Sequence, residues 1–216
     1  MNFIVKKMIP VFFLIFSLLA FGSSNEIIID DFSNGISPHW KEKKLKGKTE
    51  YTIVSGKDVK CLKAESNSSA SALYYKIDYD LKKYPILEWK WKIDHVLAKG
   101  NAATKEGCDF PARIYVIFHS GFLWQSRSLG YFWASSVQKG EVVRHPYSKN
   151  TMMIAVESGN EKAGTWITEK RNVLEDYKKI FGKDPPEAGA IAIITDSDNT
   201  GEHAIAWYGA IKITGH

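Results

Sequence analysis

Apolar and polar residues alternate with a period of two through most of the chain from residue 27 onward. Pro85 to Asp94 is the cleanest case. Leu87, Trp89, Trp91 and Ile93 share one face, and Glu88, Lys90 and Lys92 share the other, the pattern of a strand with one face on a core. Ala112 to His119 behaves alike, with Ile114, Val116 and Phe118 set against Arg113, Tyr115 and Ile117. Shorter runs at 27–29, 51–54, 59–64, 72–77, 129–134, 152–157, 165–169, 189–195 and 204–214 are divided by turn-forming clusters such as Ser55-Gly56-Lys57-Asp58. The spacing predicts about eleven short strands and an all-β, jelly-roll-like sandwich.

One segment breaks the alternation. Asn172 and Glu175 stand at capping-box spacing, Val173, Tyr177 and Ile180 recur at helical spacing, and Gly182 with Pro185-Pro186 ends the run. A single peripheral helix over about 172–181 is predicted, covering one end of the sandwich. The segment from Val96 to Phe110 has no pattern, and loops of that length commonly carry function.

Residues 1–23 read differently. Lys6 and Lys7 precede an apolar stretch from Met8 to Leu19, and Gly22, Ser23 and Ser24 follow. That layout is a secretory signal peptide cleaved near residues 22–24, and the stretch falls short of the roughly 20 residues of a membrane span. Residues 24–216 are then one domain, with a periplasmic or secreted location expected.

The 29 basic and 24 acidic side chains give a formal charge of +5, and two of the bases lie in the leader. Lys41, Lys43, Lys44, Lys46 and Lys48 cluster without interleaved aromatics, so they predict a solvated loop rather than a nucleic-acid footprint. An exported protein can form a disulfide, but whether Cys61 and Cys108 pair depends on their Cα separation.

Two groups carry candidate chemistry. The first is a polar sheet face. Glu88 and Lys90 on one strand and Arg113 and Tyr115 on another emerge together if both strands lie in one sheet. Tyr208 joins them if Ile205, Trp207, Ile211 and Ile213 are the core phase of the last strand. Arg and Tyr beside acids and lysines suit a hydroxyl-rich or anionic ligand, and a solvated face with salt bridges fits as well. The second is Asp196, Asp198, Asn199 and Glu202, crowded into one strand connection, with Asp30 and Asp31 as possible neighbours. An oxygen-only donor set would take calcium. The same residues also fit an Asx-stabilised turn with Gly201 at positive φ. The six histidines show no metal-ligand spacing, and no G-x-S-x-G appears. Asp94 with Asp109, or Glu157 with Asp196, would be the acid–base pairs of a glycosidase.

Several segments resemble a family of exported bacterial proteins known only as DUF3047. They are residues 88–95 (Glu-Trp-Lys-Trp-Lys-Ile-Asp-His), 109–116 (Asp-Phe-Pro-Ala-Arg-Ile-Tyr-Val), 155–159, 171–177 with Phe181-Gly182, and the acidic connection 195–202. The resemblance implies a single exported β-sandwich domain and no particular activity. It also expects a residue other than cysteine at position 108, against a disulfide. Asp30-Asp31-Phe32 followed by Trp40 is similar to the start of jelly-roll carbohydrate-binding modules, a likeness of fold. The function expected is non-catalytic binding of a glycan or another cell-envelope polymer. A polysaccharide lyase or glycosidase on the same scaffold and an envelope protein that binds a protein partner are the alternatives.

Overall fold

A computed structural model describes residues 25–56, 60–119 and 126–215; the expected signal peptide lies outside them. The described residues form thirteen strands and one helix. The strands are β1 (Glu26–Asp30), β2 (Trp40–Lys46), β3 (Glu50–Ser55), β4 (Lys60–Asn67), β5 (Ala70–Tyr79), β6 (Ile86–Ile93) and β7 (Arg113–Phe118), followed by β8 (Ser128–Ala134), β9 (Val142–Arg144), β10 (Thr151–Ser158), β11 (Ile167–Asn172), β12 (Ala188–Asp196) and β13 (His203–Thr214). Two sheets stack face to face. A six-stranded sheet runs β11-β6-β13-β4-β3 with β1 added on β13, and a seven-stranded sheet runs β2-β5-β12-β7-β8-β10-β9. All pairs are antiparallel except β8 with β10. This is the all-β sandwich that the alternation predicts.

The core lies between the sheets. Trp89 and Trp91 are fully buried as their phase requires. Trp89 packs on Tyr131 of the opposite sheet at 5.3 Å between ring centroids, and Trp91 packs on Trp133 at 6.1 Å. Burial of aromatics of this size dominates sandwich stability.

The helix α1 (Val173–Phe181) starts where expected. The Asn172 side chain accepts the Glu175 N–H at 3.1 Å, and Gly182 closes the helix in the left-handed region at φ 68°. Its buried Tyr177 packs edge-on against Phe118 at 4.6 Å and closes one end of the core. Asp176 pins the helix to the sheets by accepting from Tyr131 at 3.0 Å and from two nitrogens of Arg171.

Two strands were not predicted, and both are sheet edges. β2 holds Lys41, Lys43, Lys44 and Lys46, which the sequence reads as a loop. It pairs only with β5 and buries only Trp40. A strand with one neighbour and no buried face shows no alternation, and lysines along it discourage further pairing. β9 has three residues and pairs with β10 alone.

One phase assignment is overturned. Within β13, Tyr208 opposes Trp91 and Ile211 opposes Trp89, so one extra residue is accommodated at Gly209-Ala210. Such a bulge reverses which side the rest of the strand faces. Ile211 and Ile213 remain core, whereas Ile205 and Trp207 turn outward and Tyr208 turns inward, fully buried.

Candidate functional site

The outer face of the seven-stranded sheet is built from short side chains. Ala72 on β5 and Ala192 on β12 alternate with core residues and point away from the other sheet, with Tyr74, Tyr115, Ile117 and Ile194 around them. Gly130 on β8 opposes Tyr115. A Cβ at Gly130 would meet the Tyr115 ring at 2.5 Å, so the glycine is what lets that ring lie flat on the sheet. Ala70 and Ile194 extend the floor toward the acidic connection. Walls rise on both sides of this floor. Glu42, Lys43 and Leu45 of the edge strand form one, and His145, Ser148 and Thr151 form the other. The groove between them has a volume of about 680 Å³ and continues into a second depression of about 500 Å³ at the acidic end.

At that end the charges are internally matched. Arg113 donates to Asp196, and both are almost completely buried. Phe110 N–H donates to the other Asp196 oxygen at 3.0 Å, and Arg113 also donates to the Tyr115 hydroxyl at 3.3 Å. Burial opposes the charge on Arg113, but Asp196 together with Tyr115, Cys108 and Asp109 outweighs it, so the guanidinium is held firmly protonated. Burial pushes the Asp196 carboxyl up to about 7 against the pull of Arg113. The other anchor is Asp109, which accepts from Asn199 N at 2.9 Å, Thr200 N at 2.6 Å and the Asn199 amide at 2.8 Å. Asn199 in turn accepts the hydroxyl of the exposed Tyr147 at 2.7 Å. His145 accepts the Tyr147 N–H at Nδ1 (3.2 Å), and burial and then Arg113 lower its pKa to about 4. The imidazole is therefore a neutral wall of the groove at physiological pH.

The predicted site residues divide. β6 lies in the six-stranded sheet and β7 in the seven-stranded one, so Glu88 and Lys90 face the opposite side of the molecule from Arg113 and Tyr115. Alternation gives each strand a face but not a sheet. Arg113 is only 3% exposed and serves as a buried counter-ion instead of an open ligand contact. Tyr208, turned inward by the bulge, donates to the Ile194 carbonyl at 3.0 Å.

Of the four residues predicted for a cation, Asp196 and Asp198 do converge. Asp109 joins them, the three offering oxygens within 4.8 Å of one another. Glu202 is turned aside, accepting from Ala98 N at 2.9 Å and Lys99 N at 3.0 Å, and so fastens the long loop that follows β6. Asn199 is taken up by Asp109 and Tyr147. Asp30 accepts from Phe32 N, Ser37 N and the Trp40 indole. It pairs with Ile211, eight residues along β13 from the acidic connection, or about 26 Å at strand rise. Asp109 was named only as an acid–base candidate with Asp94, not as a partner of the acidic connection, and Tyr74, His145 and Tyr147 were missed. Tyr74 had a signal, since Ala72 and Tyr74 alternate with Leu73 and Tyr75; the others sit in or next to loops without a period.

Residues 38–212 match the family described as a protein of unknown function, DUF3047. The chain belongs to it. No curated protein matches the chain. Among solved structures, a family 11 carbohydrate-binding module of a cellulosomal cellulase of Clostridium thermocellum is similar at 15% identity and a TM-score of 0.46. The likeness covers 90% of this chain and 96% of that one. A carbohydrate-binding module of the β-sandwich superfamily is similar at 12% identity and a TM-score of 0.44, over 88% of this chain and 63% of that one. A family 11 xylanase of Neocallimastix patriciarum is similar at 10% identity and a TM-score of 0.36, over 89% and 94%. These likenesses concern the sandwich fold alone. Among the described residues no helix is long and apolar enough to cross a membrane.

Proposed function

We propose that the protein is an exported, non-catalytic module that holds an uncharged stretch of glycan along the outer face of its seven-stranded sheet. The observation that carries this reading is the alanine- and glycine-floored groove, with the half-buried Tyr74 beside its floor and hydroxyls and His145 on its wall. Apolar C–H faces of sugar rings pack on such a floor and on tyrosine rings, while Ser148, Thr151 and His145 offer polar partners for ring hydroxyls. Export rests on the leader-like residues 1–23.

The acids at the groove's end support binding over catalysis. Both oxygens of Asp109 and both of Asp196 already accept donors from the protein, so neither is free to move a proton to substrate. Their partners in the two candidate pairs, Asp94 and Glu157, fare no better. Glu157 is engaged by Lys139 at 2.7 Å and Lys162 at 3.0 Å, and Asp94 is exposed beside His95. For calcium the obstacle is similar, because a cation among Asp109, Asp196 and Asp198 would have to displace Arg113 or several N–H donors. Equal melting midpoints in EDTA and in millimolar calcium are expected, and a rise in calcium would restore the cation reading.

The test of function is a glycan array followed by titration calorimetry on the purified protein. Tyr74→Ala should weaken the best neutral glycan about tenfold, and Ala192→Phe should block the groove, its native fold checked by circular dichroism because Ala192 is buried opposite Tyr115. If both variants bind as tightly as the parent, the groove is not the site.

A further inference from the structure

The six-stranded sheet carries a second depression on its own outer face, and nothing in the reading above uses it. It has a volume of about 730 Å³ and lies between Trp166, which precedes β11, and Trp207 on β13, with Lys90 and Lys92 of β6 between them. The β13 bulge creates it. By reversing the strand's phase the bulge brings Trp207 to the surface, and Gly209 leaves room for the Lys90 stem, which a Cβ there would meet at 3.3 Å.

The two lysines are held unusually. Lys92 Nζ stands 4.2 Å from the centre of the Trp207 ring and 5.6 Å from that of Trp166, and Lys90 Nζ stands 5.4 Å from that of Trp166. Cation–π contact fixes where an ammonium sits without cancelling its charge. Two other lysines on this face are paired: Lys63 with Glu65, and Lys212 with Glu26 and Glu88. Lys90 and Lys92 form no ion pair among the described residues. Among the described residues one carboxylate lies on the rim, Asp31, which takes the Ser33 N–H and hydroxyl on one oxygen at 2.9 and 2.6 Å, keeps its negative charge, and forms no ion pair with either lysine.

We infer that this depression is a second binding site, independent of the groove on the other sheet, and that its ligand is an acidic polysaccharide bearing carboxylates on its sugar rings. Indoles flank the site for the apolar faces of the rings, and two pre-positioned ammoniums lie between them without an ion pair among the described residues. A neutral glycan would leave those charges unmatched, and a simple anion would leave the indoles unused.

Calorimetry with three uronide hexamers (galacturonate, mannuronate and guluronate) tests this, beside the methyl ester of each and poly-glutamate of equal charge. At least one uronide should bind, its ester should bind at least about tenfold more weakly, and affinity should fall as sodium chloride is raised from 50 to about 500 mM. Lys90→Ala with Lys92→Ala should remove about tenfold or more, and Trp166→Ala should do likewise; Trp166 precedes its strand, so that variant is expected to keep the parent melting temperature. Ala192→Phe, on the other sheet, should leave uronide binding unchanged, so the two sites fail or stand separately. No binding of any uronide, equal binding of acid and ester, or full affinity in the lysine variant would overturn the proposal. Poly-glutamate bound as tightly as the uronide would overturn its sugar component.

Discussion

The two outward faces of this sandwich share a backbone geometry and differ in almost everything else. The six-stranded face carries Lys63, Glu65, Glu88, Lys90 and Lys212, long side chains that fill their own space and largely neutralise each other in water. The centre of the seven-stranded face carries Ala70, Ala72, Ala192 and Gly130, with Arg113 and Asp196 drawn into one buried knot at its end. Short side chains leave a trough that the edge strand and loops can wall. Charged ones leave a surface on which only a local exception, such as a bulge, makes a hollow. The same period-two pattern therefore yields two kinds of face, depending on what occupies the non-core phase.

The sharpest way to break this comparison is to remove one charge from each face. Asp196→Asn strands a buried guanidinium and should cost about 3–5 kcal/mol in urea unfolding. A loss below about 1 kcal/mol would mean that the knot behaves like a surface pair. Gly130→Ala probes the floor. The added methyl must displace the Tyr115 ring, for about 1–3 kcal/mol and a measurable loss of glycan binding; a neutral result would show that the ring shifts freely.

A third variant compares two buried acids. Glu169, on the edge strand of the six-stranded sheet, has one oxygen without a hydrogen-bond partner, and burial pushes its carboxyl from 4.5 up to about 7. Since the folded value is the higher one, its contribution to stability is complete below about pH 4.5 and is lost as pH rises through 7. Lys139 and Lys162 soften the penalty. Glu169→Gln should then gain about 1–2 kcal/mol over the parent at pH 8 and nothing at pH 4; a constant difference across that range would rule out the titration. The smallest effect belongs to the open face. Glu88→Ala, which removes a partner 3.4 Å from Lys212, should change the midpoint by less than about 1 kcal/mol.

Much of the fold was legible, because a core phase of Trp89, Trp91, Ile114 and Val116 admits only one placement per strand. The site was legible in fragments. The acidic connection and Arg113 were both singled out, but their partnership was not, since nothing in β7 or β12 alone says that the two strands are neighbours. Asp109 was read only as a partner for Asp94. Its role depends on the loop folding back so that Asn199 and Thr200 can donate to it. Trp207 was misplaced by one inserted residue that no alternation count detects.

That inserted residue makes β13 behave like a reading frame. Its first half keeps Ala206 and Tyr208 in the interior, and its second half keeps Ile211 and Ile213 there, two sets that no uninterrupted strand could bury together. Deleting both Gly209 and Ala210 would bring Lys212 and Thr214 into the interior in place of the isoleucines, and β1, which pairs with that half, would lose its alignment with it. Losing Ala210 alone would preserve both sets, because the strand would then alternate without a bulge in unbroken register with β6. Chain-length changes at this point are therefore tolerated by parity and not by size, unlike those in the surface loops, where a single residue more or less has no side to choose.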